Sequence, residues 1–269
     1  MFDANEARTE VAEASHSVML EPPAPPEHGI DARIAGYAEA LAPLSPPERL
    51  RFLREALDGR IVFTHGFGIE GQIILHWICE QGLDIDLVTL DTGRLFSETY
   101  ELWADTERRY GRRIRAIYPE QAALEDLVAR DGIDGFYMSE EARKACCGVR
   151  KVRPLDRALA GAEAWVTGAR GDQNEVRQGA GLIGFEKSRG LIKFNPLFDW
   201  TREQVLAVAH QNRVPLNPLH AKGFASIGCA PCTRALEPGE PERNGRWWWE
   251  QDGHRECGLH LPRQPYSNI

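Results

Sequence analysis

From Ile61 onward, short β-branched and aromatic runs alternate with helical stretches, and this alternation restricts the chain more than any other feature. Ile61-Val62-Phe63-Thr64 reads as a strand, His65-Gly66-Phe67-Gly68 as a loop, and Ile69 to Cys79 as an apolar helix. Asp86 to Leu90 reads as a second strand with Asp91-Thr92-Gly93 as its turn, and Ser97 is placed to cap a helix that ends near Gly111. Ile114 to Tyr118, Ala164 to Thr167 and Leu191 to Phe194 are further strands, with helical stretches at about 120–130, 152–160 and 201–211. Strands separated by helices imply parallel βαβ units, so the expected class is α/β, a mostly parallel sheet with helices on both faces. An earlier helix starts at Ser45, where Pro46 and Glu48 complete a capping box, and Leu50, Leu53 and Leu57 recur at helical spacing before Gly59.

The ends of the chain have a different texture. Residues 1–27 are polar and proline-rich and read as a disordered leader. From Pro215 onward Pro, Gly, Trp and Cys dominate with little periodicity, as in a functional tail laid over a sheet. The expected division is a leader at 1–27, an α/β domain at 28–235 and a C-terminal tail at 236–269. With 269 residues the chain is long enough for a sizeable core. A net charge of −8 argues against a nucleic-acid partner, which wants a basic face. Neither an apolar run of membrane-spanning length nor a signal-peptide layout is present, so a cytoplasmic protein without a membrane partner is expected.

In open parallel sheets ligands bind beyond the carboxyl ends of the strands. His65–Gly68, Asp91–Gly93 and Gly168–Gln173 all fall there. A Gly-rich turn entering a helix offers backbone N–H groups and the positive end of the helix dipole to a phosphate. The loop at 65–68 lacks the GxxxxGK[ST] pattern, and taken alone a structural tight turn explains it equally well.

The six cysteines are too few for a disulfide scaffold. Cys146 and Cys147 are adjacent, while Cys229 and Cys232 form a C-x₂-C unit. Zinc usually draws each pair from a C-x₂₋₄-C turn, because both sulfurs must reach one ion. Adjacent cysteines diverge, and a polynuclear cluster lets each thiolate take a different iron. A [4Fe–4S] cluster is therefore preferred over the two alternatives, zinc and disulfide or unpaired core thiols. Around the first pair stand Arg143, Lys144, Arg150, Lys151 and Arg153, which offset cluster charge and draw in an anion, or else form a solvated basic helix face. Cys79 lies in an apolar helix and reads as inert.

Cys257 sits in the polar tail between Glu256 and Gly258, where the nearby His254, Arg255 and His260 favour a reactive thiolate. Such a tail can visit a substrate and then a second protein; a spare surface thiol is the plainer reading. Arg243 and Arg246 beside Trp247-Trp248-Trp249 are suited to clamp an oxyanion through bidentate hydrogen bonds, unless the tryptophans only cover core.

The most specific segments are Cys146-Cys147-Gly148-Val149-Arg150-Lys151, Ser226-Ile227-Gly228-Cys229-Ala230-Pro231-Cys232, Gly245-Arg246-Trp247-Trp248-Trp249-Glu250 and Glu256-Cys257-Gly258-Leu259-His260. In these the chain closely resembles the assimilatory adenylyl-sulfate reductases, the iron–sulfur branch of the phosphoadenylyl-sulfate reductase family. The resemblance runs from about Ile61 to His260, with Leu90-Asp91-Thr92-Gly93, Thr167-Gly168-Ala169-Arg170 and Asn195-Pro196-Leu197 in support. It implies an adenine-nucleotide α-hydrolase-like fold with a pyrophosphatase-type loop at Thr64, His65, Gly66, Phe67 and Gly68, and adenosine near Leu90, Thr92 and Gly168. It also implies that Lys151, Arg243 and Arg246 face a phosphosulfate, with Arg177 as a fourth cation through a one-residue shift and His260 near the reactive thiol.

The implied activity is thioredoxin-dependent reduction of adenosine 5′-phosphosulfate to sulfite and AMP through an S-sulfonate on Cys257, in sulfate assimilation and cysteine biosynthesis. Cys146, Cys147, Cys229 and Cys232 would carry one [4Fe–4S] cluster per chain. A reduced thioredoxin or glutaredoxin-like dithiol would be the partner, and the chain a homo-oligomer. The 3′-phosphorylated nucleotide, alone or with the unphosphorylated form, is the alternative substrate. The sequence departs from the family pattern at Gly171, at Gln173-Asn174, at Glu175-Val176 and in the loop Thr64-His65-Gly66. Two rival readings are an ATP-using pyrophosphatase-loop enzyme, whose SGGxDS loop is absent, and an iron–sulfur sensor, which leaves the Cys257 tail without a purpose.

Overall fold

The computed structural model describes residues 27–173, 175–250, 256 and 258–259. The expected leader therefore lies outside the described residues except for Glu27, the first residue of a helix α1 (Glu27–Leu41). In chain order follow α2 (Pro46–Ala56), β1 (Ile61–Thr64), α3 (Ile69–Glu80), β2 (Asp86–Leu90), α4 (Ser97–Tyr110), β3 (Arg115–Ile117) and α5 (Gln121–Asp131). Then come α6 (Glu140–Cys147), a π turn (Gly148–Val152), α7 (Arg153–Leu159), β4 (Ala164–Val166), α8 (Glu175–Gln178), β5 (Ile183–Glu186), β6 (Leu191–Phe194) and α9 (Arg202–Gln211).

The strands form one sheet in the order β3-β2-β1-β4-β6-β5. Every pairing is parallel except the edge pair β5–β6, which is antiparallel. The expected α/β class is therefore the observed one. β1 is central, pairing Phe63 with Leu87 on one side and Val166 on the other. Alternation along β1 sends Ile61 and Phe63 into a large core under α2, α3 and α9, and Val62 into a smaller one with Leu155, Leu159 and Trp165. Among the described residues no helix is long and apolar enough to cross a membrane.

Local chemistry explains where elements start and stop. Ser45 and Glu48 form the expected capping box at α2. α2 ends at Ala56, ahead of Gly59, because Leu57 turns extended to bury its side chain and Arg54 takes the freed Gly59 carbonyl at 3.0 Å. Ser97 is the first helical residue of α4 rather than its cap; Phe96 holds the extended cap position, with its ring packed edge-on against Phe224. Gly111 closes α4 in the left-handed region at φ 62, as a C-terminal glycine does. At α9, Thr201 accepts the Gln204 N–H at 3.3 Å while its own N–H donates to the Gln204 side chain at 2.8 Å. Thr201→Ala should lower stability by about 1 kcal/mol, read as a melting temperature a few degrees lower with an unchanged fold.

Candidate active site

The carboxyl ends of β1, β2 and β4 border a cavity of about 230 Å³. Thr64, His65, Gly66 and Gly68 reach it from β1, Leu90 and Thr92 from β2, and Thr167 and Gly168 from β4. Thr64 is oriented by the Trp165 indole, which donates to its hydroxyl at 2.7 Å. The loop closes tightly: the His65 N–H donates to the Val88 carbonyl at 2.7 Å, and Phe67 adopts φ 58, an uncommon conformation for a bulky residue. Phe67 is buried with its ring against His65 and Trp103, and it is not among the cavity-lining residues. Its strain aims the ring at the core and leaves the two glycines toward the cavity, at the N-terminus of α3. His65 is buried against Gly71, where any Cβ would press on its ring, and burial drives its imidazole down to about 3. At neutral pH it is therefore an uncharged imidazole.

Four cations close the other side of the same cavity: Lys151, Arg177, Arg243 and Arg246. Lys151 belongs to the π turn between α6 and α7, an insertion of the kind that often marks a functional site. Its neighbour Arg150 donates to the Thr92 carbonyl at 2.6 Å and ties this turn to the end of β2. Arg243 and Arg246 are carried by a segment zipped to Cys229–Cys232. Thr233 bridges Arg246 antiparallel, the Arg234 N–H donates to the Gly245 carbonyl at 2.9 Å, and the Trp247 N–H donates to the Cys232 carbonyl at 3.2 Å. Gly245 must lack a side chain here, because a Cβ would collide with the Arg234 carbonyl.

Carboxylates divide the remaining cations. Arg170 is fully buried and pairs with Glu70 at 2.8 Å, Glu242 at 2.6 Å and also Asp172, so it braces the cavity wall. Burial raises the Glu242 carboxyl above its ordinary value even beside Arg170. Glu256 is buried and accepts from Arg177 Nε at 3.0 Å, while its carbonyl accepts from Arg143 at 2.8 Å. Leu259 lines the cavity as well. Cys257 and His260 lie outside the described residues.

Cys146, Cys147, Cys229 and Cys232 line one further cavity, together with Arg143, Arg150, Lys151 and Trp247. Lys151 and Trp247 also line the first cavity, so the two share a wall. Among the described residues no group of three or more His, Cys, Asp or Glu side chains is arranged to hold a metal ion. The four thiols line one common space. That arrangement fits a polynuclear cluster, whose irons are ligated separately, better than one tetrahedral ion. Burial pushes the Cys232 thiol up to about 11 and also raises Cys146. Burial raises Cys229 too, but Lys151, the Thr92 hydroxyl at 3.3 Å and Arg246 outweigh it and hold that thiol below its ordinary value. The environment thus favours a thiolate at Cys229.

Residues 60–235 match the phosphoadenosine phosphosulfate reductase domain family. An adenosine 5′-phosphosulfate reductase of Sinorhizobium fredii is 54% identical over 213 residues, covering 79% of this chain and 85% of that one. The chain belongs to the phosphoadenosine phosphosulfate reductase family. A second family relative, the adenosine 5′-phosphosulfate reductase of Agrobacterium fabrum, is 50% identical over 230 residues, 86% of this chain and 88% of that one. Among solved structures, the phosphoadenylyl-sulfate reductase of Candida auris in a phosphate complex superposes with a TM-score of 0.66 at 29% identity, covering 76% of this chain and 97% of that one.

The fold of this family thus brings together eleven of the expected substrate-side residues, from Thr64 through Arg246, and keeps only the Phe67 side chain apart among those described. Sequence reasoning missed three residues of consequence: Glu70 and Glu242, which fix Arg170, and Glu256. For Glu256 a signal existed in its place beside Cys257; its arginine partners follow only from tertiary contact.

Proposed function

We propose that the protein reduces adenosine 5′-phosphosulfate to sulfite and AMP, with Cys257 as nucleophile and reduced thioredoxin or a glutaredoxin-like dithiol as donor, in sulfate assimilation toward cysteine. The observation that carries this reading is the convergence of Lys151, Arg177, Arg243 and Arg246 on one cavity at the Gly-rich end of β1. The names of the relatives support the substrate.

In this reading adenosine lies against Leu90, Thr92 and Gly168, and the loop at Thr64–Gly68 receives the phosphate. Glu256 and Leu259 line the cavity and bracket Cys257 in sequence, which supports its assignment as the nucleophile. The Cys257 thiolate attacks the sulfate sulfur; an S–S bond forms as the bond from that sulfur to the bridging oxygen breaks, and the electron pair leaves on AMP. Negative charge gathers on the bridging and phosphate oxygens, where Lys151 and the arginines stabilise it. His260 is assigned to the vicinity of the thiol. One thiolate of the donor then attacks Cys257 Sγ and expels sulfite, and the second donor thiol resolves the mixed disulfide. The donor loses two electrons and Cys257 regains its thiol.

Cys146, Cys147, Cys229 and Cys232 would hold the [4Fe–4S] cluster, one per chain. When bound, it supplies a fixed charge beside Lys151 that tunes the field at the sulfate. The dithiol provides both electrons, and a cytoplasmic location keeps such donors reduced.

The test is sulfite release by anaerobically purified protein with reduced thioredoxin, on adenosine 5′-phosphosulfate and its 3′-phosphorylated form in parallel. Release from the first alone is expected; equal rates would retract the selectivity, and no sulfite from either with the cluster intact would overturn the reading. A Cβ at Gly228 would collide with the Arg246 guanidinium. Gly228→Ala should therefore raise KM about tenfold, the size of one charged hydrogen bond, with a smaller change in kcat.

A further inference from the structure

Two of the four cavity cations are already engaged by an anion of the chain itself. Glu256 is 1% exposed. Its carboxylate accepts from Arg177 Nε at 3.0 Å and pairs with an Arg243 terminal nitrogen at 3.1 Å. Arg177, Arg243 and Glu256 all line the main cavity, so this cluster faces the space a ligand takes and is not hidden behind it. A buried carboxylate requires such partners, because burial without them is costly. The same fork-shaped donors are what a phosphate or sulfate oxyanion seeks.

We propose that Glu256 is an internal competitor for the substrate anion: it holds Arg177 and Arg243 in the ligand-free protein and yields them, wholly or in part, when an anionic nucleotide binds. This rests on reading the cavity as a sulfonucleotide site. The exchange lowers affinity for every anion by the same interaction, so small anions such as phosphate and sulfate, which make few other contacts, are held off. A nucleotide recovers the loss through its base and ribose. After reaction, return of the carboxylate to the arginines helps expel AMP.

The experiment is calorimetric titration of wild type, Glu256→Gln and Glu256→Asp with AMP at fixed ionic strength. The glutamine keeps the shape and removes the charge. It should bind AMP about tenfold more tightly than wild type, the equivalent of one charge-assisted hydrogen bond, with Glu256→Asp in between. A purely structural role for Glu256 cannot produce tighter binding, since a loosened site loses affinity. Equal or weaker AMP binding by Glu256→Gln would overturn the proposal. If that variant shows no cooperative melting transition, Glu256→Asp decides alone: tighter binding than wild type supports the competition and weaker or equal binding ends it. Failure of the wild type to bind AMP removes the nucleotide reading as well, whereas binding that all three proteins share equally removes only the role of Glu256.

Discussion

Cys257→Ser is expected to abolish sulfite formation, lowering turnover by at least about a thousandfold, while AMP binding and the visible absorbance of the holoprotein stay within about twofold of wild type. The other five cysteines are Cys79 and the four that line the second cavity. Cys79 lies in α3, packed against the main core, and burial raises its thiol above the ordinary value, so its thiolate fraction is small. A serine hydroxyl in the place of the thiol needs a general base that removes its proton, and a nucleophile removed from such a site commonly costs several orders of magnitude. The measurement is single-turnover sulfite release after addition of dithiol, alongside mass detection of the S-sulfonated chain. Wild type should gain the mass of one sulfonate before dithiol is added, and the serine variant none. Undiminished turnover by the variant would move the chemistry to another residue, and an unchanged signal function with no turnover in either protein would favour the sensor reading.

What the sequence discloses about this molecule divides along a physical line. Periodicity and β-branching disclose β1, β2, β4 and β6 because each is largely buried, as Ile61, Val62 and Phe63 show directly, whereas β3 is a short edge strand with no buried residue. β5 escapes because Ile183-Gly184-Phe185-Glu186 is a half-buried edge strand interrupted by a glycine, and its pairing with β6 comes from the hairpin, not from its own composition. α1 escapes because Gly29 and Gly36 weaken its helical signature; it is held by packing, with Ile34, Tyr37 and Ala38 against the main core. The site divides the same way. Gly-rich strand ends and the two cysteine pairs are local patterns. The Arg177–Glu256 pair joins residues 79 apart, and the Arg170–Glu242 pair joins residues 72 apart, so no local pattern announces them. Such pairs decide which arginines are available to a ligand and which are committed to the wall.

Arg143→Met is expected to cost about 3–5 kcal/mol of stability, the usual consequence of leaving one partner of a buried ion pair alone. For a chain of this size that corresponds to a melting temperature lower by roughly 10 °C or more. The Arg143 side chain is 1% exposed and the Glu250 carboxylate 7%. Their contact is a parallel fork, Nε to Oε1 at 2.8 Å and the second nitrogen to Oε2 at 2.9 Å. The same guanidinium stacks over Trp247 at 4.8 Å and donates to the Glu256 carbonyl at 2.8 Å. One side chain on α6 therefore ties down three points of the C-terminal segment while standing beside Cys147 in the thiol-lined cavity. Methionine fills much of the volume but leaves the Glu250 carboxylate buried without its fork. A double variant, Arg143→Met with Glu250→Gln, removes that orphaned charge and should recover part of the loss, which a double-mutant cycle reads as a coupling of 1 kcal/mol or more. If the single variant instead melts within about 2 °C of wild type, Glu250 has reached water, and the segment carrying Trp247 and Glu256 is not fastened from α6. Activity separates the two consequences further. Loss of the Glu256 carbonyl contact displaces the residue beside Cys257, so the sulfonation rate should fall at temperatures where the variant is still folded, while a defect confined to stability would leave that rate unchanged.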